Sequence, residues 1–394
     1  MIAGPLDPRS VAALSAALRA GGVASRDLDA ARAGLAPAAI RLLGLEAPAL
    51  EALVRHGGRL GLDVVTGTDW AIVAGSRARL SSLARPWVVP ADLAEVAAVV
   101  GTALPPDPPA AWRTAIGPIP LDRPTIVGIL NLTPDSFSDG GALDSVAAVL
   151  RRAEALVQAG AAMLDLGGES TRPGRTAVVP ADEEARRVVP AVECLARELP
   201  GVPLSIDTVK SGVARAALDA GAAVVNDVSG LRLDPAMAAV VASAGAGVVL
   251  MHSRGEHLEL ASYAHAEYAD GVLAGVLEGL RRSLAEASAA GIAAETIAVD
   301  PGLGFGKTPA QSVALLDGLG GFLALGRPVY LGPSRKRFLG EVTGLPTAER
   351  DGVTAVACAL AWERGARIFR VHDVARAREA LALASALDSP SDRP

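Results

Sequence analysis

The residues best suited to chemistry form a series, each at the end of a short apolar run. Asn131, Asp165, Asp207, Asn226 with Asp227, His252, Asp300, the triplet Ser334-Arg335-Lys336, Arg370 and His372 all stand where β-branched and aliphatic residues give way to polar ones. Arg370 and His372 alternate with Phe369 and Val371, so on a strand both would point to one face. The chain has no Ser-His-Asp arrangement, no reactive-cysteine signal and no HExxH. Covalent catalysis by a side chain is therefore not indicated. GLGFGKT ends like a phosphate-binding P-loop, but that pattern needs glycine where Pro301 stands. His252 has no second histidine at helical spacing, which argues against a metal role for it. What remains is a set of acceptors and cations able to hold a polar substrate and stabilise charge that develops on it.

Such residues act together only if the fold brings the run ends together. The organising stretch is Gly128 to Gly141, GILNLTPDSFSDGG, where a strand-like run from Thr125 to Leu130 empties into a polar loop bounded by glycine. Seven more runs follow, ending at Asp165, Asp207, Asp227, His252, Asp300, the GPSRK segment and His372. Helical stretches separate them, and Gly160, Gly221, Gly245, Gly326 and Gly365 are placed to close helices. Eight strand-helix units predict a (β/α)8 TIM barrel with its active site at the carboxyl ends of the strands.

The chain of 394 residues exceeds the roughly 250 that one barrel needs, so a second unit is expected. Residues 1–104 read as a small α+β accessory domain. Helices are expected from Asp7-Pro8 onward, around Arg26 to Leu43, over Ala47 to Leu60, Arg77 to Leu83 and Leu93 to Leu104, with a hairpin turning at Gly67-Thr68-Asp69. Residues 105–115, opening with Pro105-Pro106-Asp107-Pro108-Pro109, read as a stiff linker. The barrel is expected over 116–387 and a disordered tail over 388–394. With 51% hydrophobic but only 3% aromatic residues, the helices must pack through Ala, Leu and Val. The net charge of -6 and scattered basic residues argue against a nucleic-acid groove. Cys194 and Cys358, far apart in helical patterns, read as reduced core thiols of a cytoplasmic protein. No secretory signal opens the chain, and the apolar stretch Ala236 to Met251 is broken by Ser243, Gly245 and Gly247, so no membrane span is expected.

The motifs GILNLTPDSFSDGG, DLGGESTRPG, SIDT, NDVSG, LMHSRG, DPGLGFGKT, GPSRKRFLG and RVHD, in this order, resemble the dihydropteroate synthase family of pterin-binding barrels. The resemblance covers the second domain and none of the first. It implies condensation of 6-hydroxymethyl-7,8-dihydropterin pyrophosphate with para-aminobenzoate by a dissociative, carbocation-like path on the route to folate. It further implies that Asp207, Asn226, Met251, Asp300, Lys336 and Arg370 bind the pterin. Asn131, Arg172, Arg370 and His372 would bind the pyrophosphate, with Asn131 bearing on Mg2+. Phe137, Thr171, Pro173, Phe305, Ser334 and Lys336 would surround para-aminobenzoate. Asp207, Lys336, Arg370 and His372 would carry catalysis, Asp207 by stabilising the developing cation. A homodimer built through barrel helices is the family expectation.

Two rivals are weaker. A methyltetrahydrofolate-corrinoid methyltransferase uses a similar barrel, but would need neither an anion trap nor the SRK and STRP motifs. A non-catalytic pterin-binding or scaffold protein would have no use for Asp207, Lys336, Arg370 and His372 together. One departure concerns Pro309-Ala310-Gln311-Ser312, where the family often continues with His-Asn.

Overall fold

The computed structural model describes residues 37–85, 88–103, 109–132, 142–169 and 177–388. Phe137, Thr171, Arg172 and Pro173, the expected helix from Asp7-Pro8 and the last six residues of the expected tail lie outside the described residues. The chain divides into two compact units, one of Met1–Pro106 with Ala386–Pro394 and one over Asp107–Ser385.

The first unit is α+β. Strands β1 (Pro37–Leu43), β2 (Asp63–Thr66) and β3 (Trp70–Ser76) form an antiparallel sheet in the order β1-β3-β2. Helices Ala47–Arg59, Arg77–Leu83 and Ala94–Ala103 accompany it. Leu53, Leu80, Leu83, Leu93, Ala97 and Val100 are fully buried in its core. The hairpin between β2 and β3 falls where the sequence placed it. Pro37–Leu43 corrects the expectation of a helix reaching Leu43: PAAIRLL has helical composition, but pairing with all of β3 makes it a strand.

The second unit opens with a hairpin, β4 (Ala111–Thr114) and β5 (Gly117–Pro120). Residues Ala111–Thr114, read from sequence as linker, are thus a strand of the barrel unit. Trp112 is fully buried, and its indole N–H donates to the Thr296 carbonyl at 2.8 Å, which seats the hairpin against the barrel. There follow β6 (Thr125–Asn131), β7 (Met163–Gly167), β8 (Leu204–Asp207), β9 (Val224–Asp227), β10 (Gly247–Met251), β11 (Ile297–Asp300), β12 (Val329–Leu331) and β13 (Ala366–Val371). These eight close into a parallel barrel. Every residue of β7, β9, β10, β11 and β12 is buried, as near-continuous apolar runs require when helices cover one face and the barrel interior fills the other. Ala236 to Met251 resolves into helix Met237–Ala244 and β10, with Gly245 left-handed at the helix end. Cys358 is buried and Cys194 partly so, both as free thiols. Among the described residues no helix is long and apolar enough to cross a membrane.

Candidate active site

Strand register sets the first layer of the site. Asn131 of β6 pairs with Gly167 of β7, Gly167 with Asp207 of β8, and Asp207 with Asn226 of β9. Four strand ends therefore share one row. Gly167 leaves it open: a Cβ there would stand 3.6 Å from the Asp207 Cβ and 4.0 Å from the Asn131 side-chain oxygen, narrowing the space between them. On the far side, Met251 of β10 pairs with Asp300 of β11.

Asn131, Asp207, Asn226, Met251, Asp300, Phe305, Ser334, Lys336, Arg370 and His372 all line one cavity of about 520 Å3 at this end of the barrel. Every described residue that the resemblance implies for the site is thus at a single mouth, whereas Asp165, Asp227 and His252 do not line this cavity. The centre of the arrangement, however, is Asp165, which was noticed only as a strand end. Arg370 donates from Nε to Asp165 at 2.5 Å and from Nη2 to Asp207 at 2.8 Å, while the Asn226 amide donates to the same Asp165 oxygen at 3.3 Å. The arginine and aspartate lie 205 positions apart in the chain, so no local pattern announces the pair.

Burial disfavours the arginine's charge, but Asp165 and Asp207 more than offset this and hold the guanidinium above its ordinary value. One cation cannot offset the burial of two carboxylates. Desolvation therefore pushes Asp207 up to about 7, against the pull of Arg370, and the neighbouring Asp165 adds to the rise. Burial also raises Asp300, although Lys336 opposes it, and lowers Lys336 to about 8 against the opposing pull of Asp300.

Asp300 has a structural task as well as its place on the cavity wall: one of its oxygens accepts the Gly302 N–H at 2.7 Å, shaping the loop that follows. Lys336 donates to the Leu303 carbonyl and sits 4.6 Å from the centre of the Phe305 ring. Asp227 is used differently from Asn226. Its oxygens accept from the Ser229 backbone and hydroxyl and from the Leu231 backbone, so it finishes its strand and turns the chain.

The Ser334 hydroxyl accepts the His372 backbone N–H at 3.1 Å and lies 2.8 Å from His372 Nδ1. The hydroxyl and Nδ1 share one hydrogen bond, whose donor is set by the tautomer of the ring. The hydroxyl is therefore committed to His372 and can meet a benzoate carboxylate only by leaving it.

Lys307 is fully buried, and its ammonium donates to His252 Nδ1 at 3.0 Å and to the carbonyls of His252 and Phe305 at 3.1 and 2.7 Å. Three donors meet three acceptors, tying the loop after β10 to the loop after β11. Burial holds Lys307 well below its ordinary value and His252 down at about 2. His252 is thus a neutral acceptor. The departure at Pro309-Ala310-Gln311-Ser312 is absorbed locally, because Thr308 and Gln311 form a reciprocal capping box at the start of helix Pro309–Asp317.

The sequence matches the family described as pterin binding enzyme over residues 127–372. The chain is 44% identical over 253 residues to the dihydropteroate synthase of Bacillus subtilis, covering 64% of this chain and 85% of that protein. It is 45% identical over 267 residues to that of Mycobacterium leprae, covering 66% and 92%. Among solved structures, the Xanthomonas albilineans dihydropteroate synthase with 4-aminobenzoic acid superposes with a TM-score of 0.65 at 43% identity, covering 71% of this chain and 98% of that one. A Yersinia pestis dihydropteroate synthase in complex with a sulfonamide drug gives 0.64 at 37% identity, covering 70% and 98%.

Proposed function

Since the chain belongs to the pterin-binding enzyme family and, within it, to the dihydropteroate synthases, we propose that it condenses 6-hydroxymethyl-7,8-dihydropterin pyrophosphate with para-aminobenzoate. The C–O bond between the pterin methylene and the diphosphate breaks, a C–N bond to the aromatic amine forms, and the amine releases a proton. The products are 7,8-dihydropteroate and pyrophosphate. The observation that carries this reading is the Arg370 guanidinium clamped by Asp165 and Asp207 in the same cavity as Asn226, Asp300 and Lys336.

Asp300 and Asn226 offer a charged acceptor and an amide to the amino and ring N–H groups of the pterin, and Lys336 offers a donor to its carbonyl. Met251 supports the ring face. Asp207 gains most where positive charge grows on the methylene, because a fixed carboxylate stabilises a cation that exists only on the way to products. Arg370 spends Nε and Nη2 on the two aspartates, so Nη1 is the group it can turn to the leaving diphosphate. His372, on the same cavity wall, would offer a ring N–H to the same oxygens. Phe305 and the Lys336 stem would flank the benzoate ring. Arg172, Phe137, Thr171 and Pro173 take their proposed roles at the diphosphate and the benzoate from the resemblance alone.

Magnesium fits this donor set. Mg2+ binds nucleotide-like substrates through phosphate oxygens and water with one or two protein ligands, and Asn131 presents a side-chain oxygen beside Gly167 at the cavity wall. When bound, the ion would neutralise charge on the departing diphosphate. A homodimer and a cytoplasmic location complete the proposal.

The decisive assay mixes both substrates with Mg2+ and measures pyrophosphate and dihydropteroate together, with a sulfonamide as competitor of para-aminobenzoate. Equal yields of the two products, suppressed by the sulfonamide, are expected. Pterin binding without pyrophosphate release would mean a binding protein instead.

A further inference from the structure

A second charged cluster borders the cavity and plays no part in the steps above. Glu169, two residues beyond β7, lines the cavity, yet its side chain is only 5% exposed and that of Glu184 only 1%. The ammonium of Lys210 contacts both, reaching Glu169 Oε2 at 2.5 Å. His257 Nε2 lies 3.3 Å from the same Glu169 oxygen, and the other Glu169 oxygen accepts the Val179 N–H at 3.0 Å. Gly168 allows this convergence. A Cβ there would come within 2.8 Å of Val188 and 2.9 Å of Glu184, and its carbonyl accepts from Arg187 at 3.0 Å.

Lys210 stands three positions after Asp207, with its own N–H bonded to the Thr208 hydroxyl at 3.2 Å. One side chain therefore joins the outlet of β8, which carries Asp207, to the outlet of β7, which carries Glu169. The electrostatic consequence is specific. A carboxylate on the wall of a cavity that must take a diphosphate repels it, and a lysine shared between that carboxylate and Glu184 offsets part of the repulsion.

We propose that Lys210 is a positioning residue that ties the ends of β7 and β8 together and masks the charge of Glu169 from the diphosphate of the substrate. This rests on the pterin pyrophosphate reading. It assigns Lys210 to the phosphate-bearing part of the substrate and not to the pterin ring.

The test compares three ligands by calorimetry: pterin pyrophosphate, free pyrophosphate with Mg2+, and pteroic acid, which carries the rings but no phosphate. Lys210→Met should weaken the first two by roughly tenfold, the size of one unmasked charge a few residues' breadth away, and leave pteroic acid unchanged. Adding Glu169→Gln to Lys210→Met should restore most of the loss. Glu169→Gln alone, which keeps Lys210 on Glu184, should tighten pyrophosphate and remains readable if Lys210→Met does not fold. Equal weakening of all three ligands, or no tightening by Glu169→Gln, overturns the inference. If the wild-type chain binds neither pyrophosphate ligand, the functional reading falls and takes this one with it; wild-type binding with unaltered variants sinks this one alone.

Discussion

The two ends of the barrel are made by the same eight strands and are built on opposite principles. At the amino end, the hairpin of β4 and β5 closes the floor, and Trp112, Val127, Met163, Val224, Val249, Ala298 and Ile368 pack as one apolar layer. Three polar groups there are bonded within the floor: the Trp112 indole to Thr296, and the hydroxyls of Thr296 and Thr114 to nearby carbonyls, each at 2.8 Å. At the carboxyl end, one oxygen of Asp165 and the Tyr330 hydroxyl are buried without a partner among the described residues. Tyr330 spans both regimes, its ring in the floor layer and its residue on the wall of the cavity. A mainly apolar floor contributes stability. A mouth with acceptors and donors left over is prepared for a ligand that supplies the missing partners.

The comparison is broken most severely from below. Trp112→Ala removes a fully buried indole and should cost about 3–5 kcal/mol of stability, read as the shift of a urea midpoint. Its kcat at a temperature where it stays folded should match the wild type. The same reasoning applies to truncation: removing residues through Pro106 should leave a folded, active barrel, whereas removing them through Ala115 takes Trp112 away and should not. If both truncates are equally stable, the hairpin is not the floor described here.

At the mouth, Asp207→Asn is the largest expected effect. It keeps the shape and removes the charge, so kcat should fall by roughly 100-fold while pterin pyrophosphate binding changes much less. Retention of full turnover would end the cation-stabilising assignment. Lys336→Ala should be smaller and broader, raising the KM of both substrates by about tenfold, since the side chain bears on Asp300 and on the Phe305 ring. A change confined to one substrate would place Lys336 in one subsite only.

How much of this was legible follows from how local each feature is. Strands β6 to β13 could be read because each apolar run and its polar end lie within a few residues. Asp207, Asn226, Asp300, Lys336 and Arg370 were visible for the same reason. The floor hairpin was hidden because the proline-rich start at Pro105 to Pro109 makes 105–115 resemble linker, and only the barrel gives Trp112 a place to bury. Asp165 was hidden because its value lies in a partner at the other end of the domain. Lys307 was hidden because lysine is rarely buried, and nothing nearby in sequence reveals three acceptors around its ammonium. In Pro37–Leu43 the residues favoured the wrong element, and pairing with β3 decided it.

The smallest effects come from pH, and their signs set the mouth apart from the floor. Asp207 must be ionised to stabilise a cation, and burial pushes it up to about 7, so kcat/KM should climb as pH rises through that value. Lys336 must be charged to donate, and burial lowers it to about 8, so the same quantity should fall above that value. Stability should move the other way on the acid side. The folded chain holds its Asp207 proton to higher pH than the unfolded chain, whose carboxyl titrates near 3.8, so the folded state loses stability as pH rises from there to about 7. Activity gained and stability lost over overlapping pH ranges is the signature of a carboxylate held ionised for its chemistry and against its surroundings. Asp207→Asn should flatten both acid-side trends at once, and Trp112→Ala neither; an acid limb that persists in Asp207→Asn would assign it to another group.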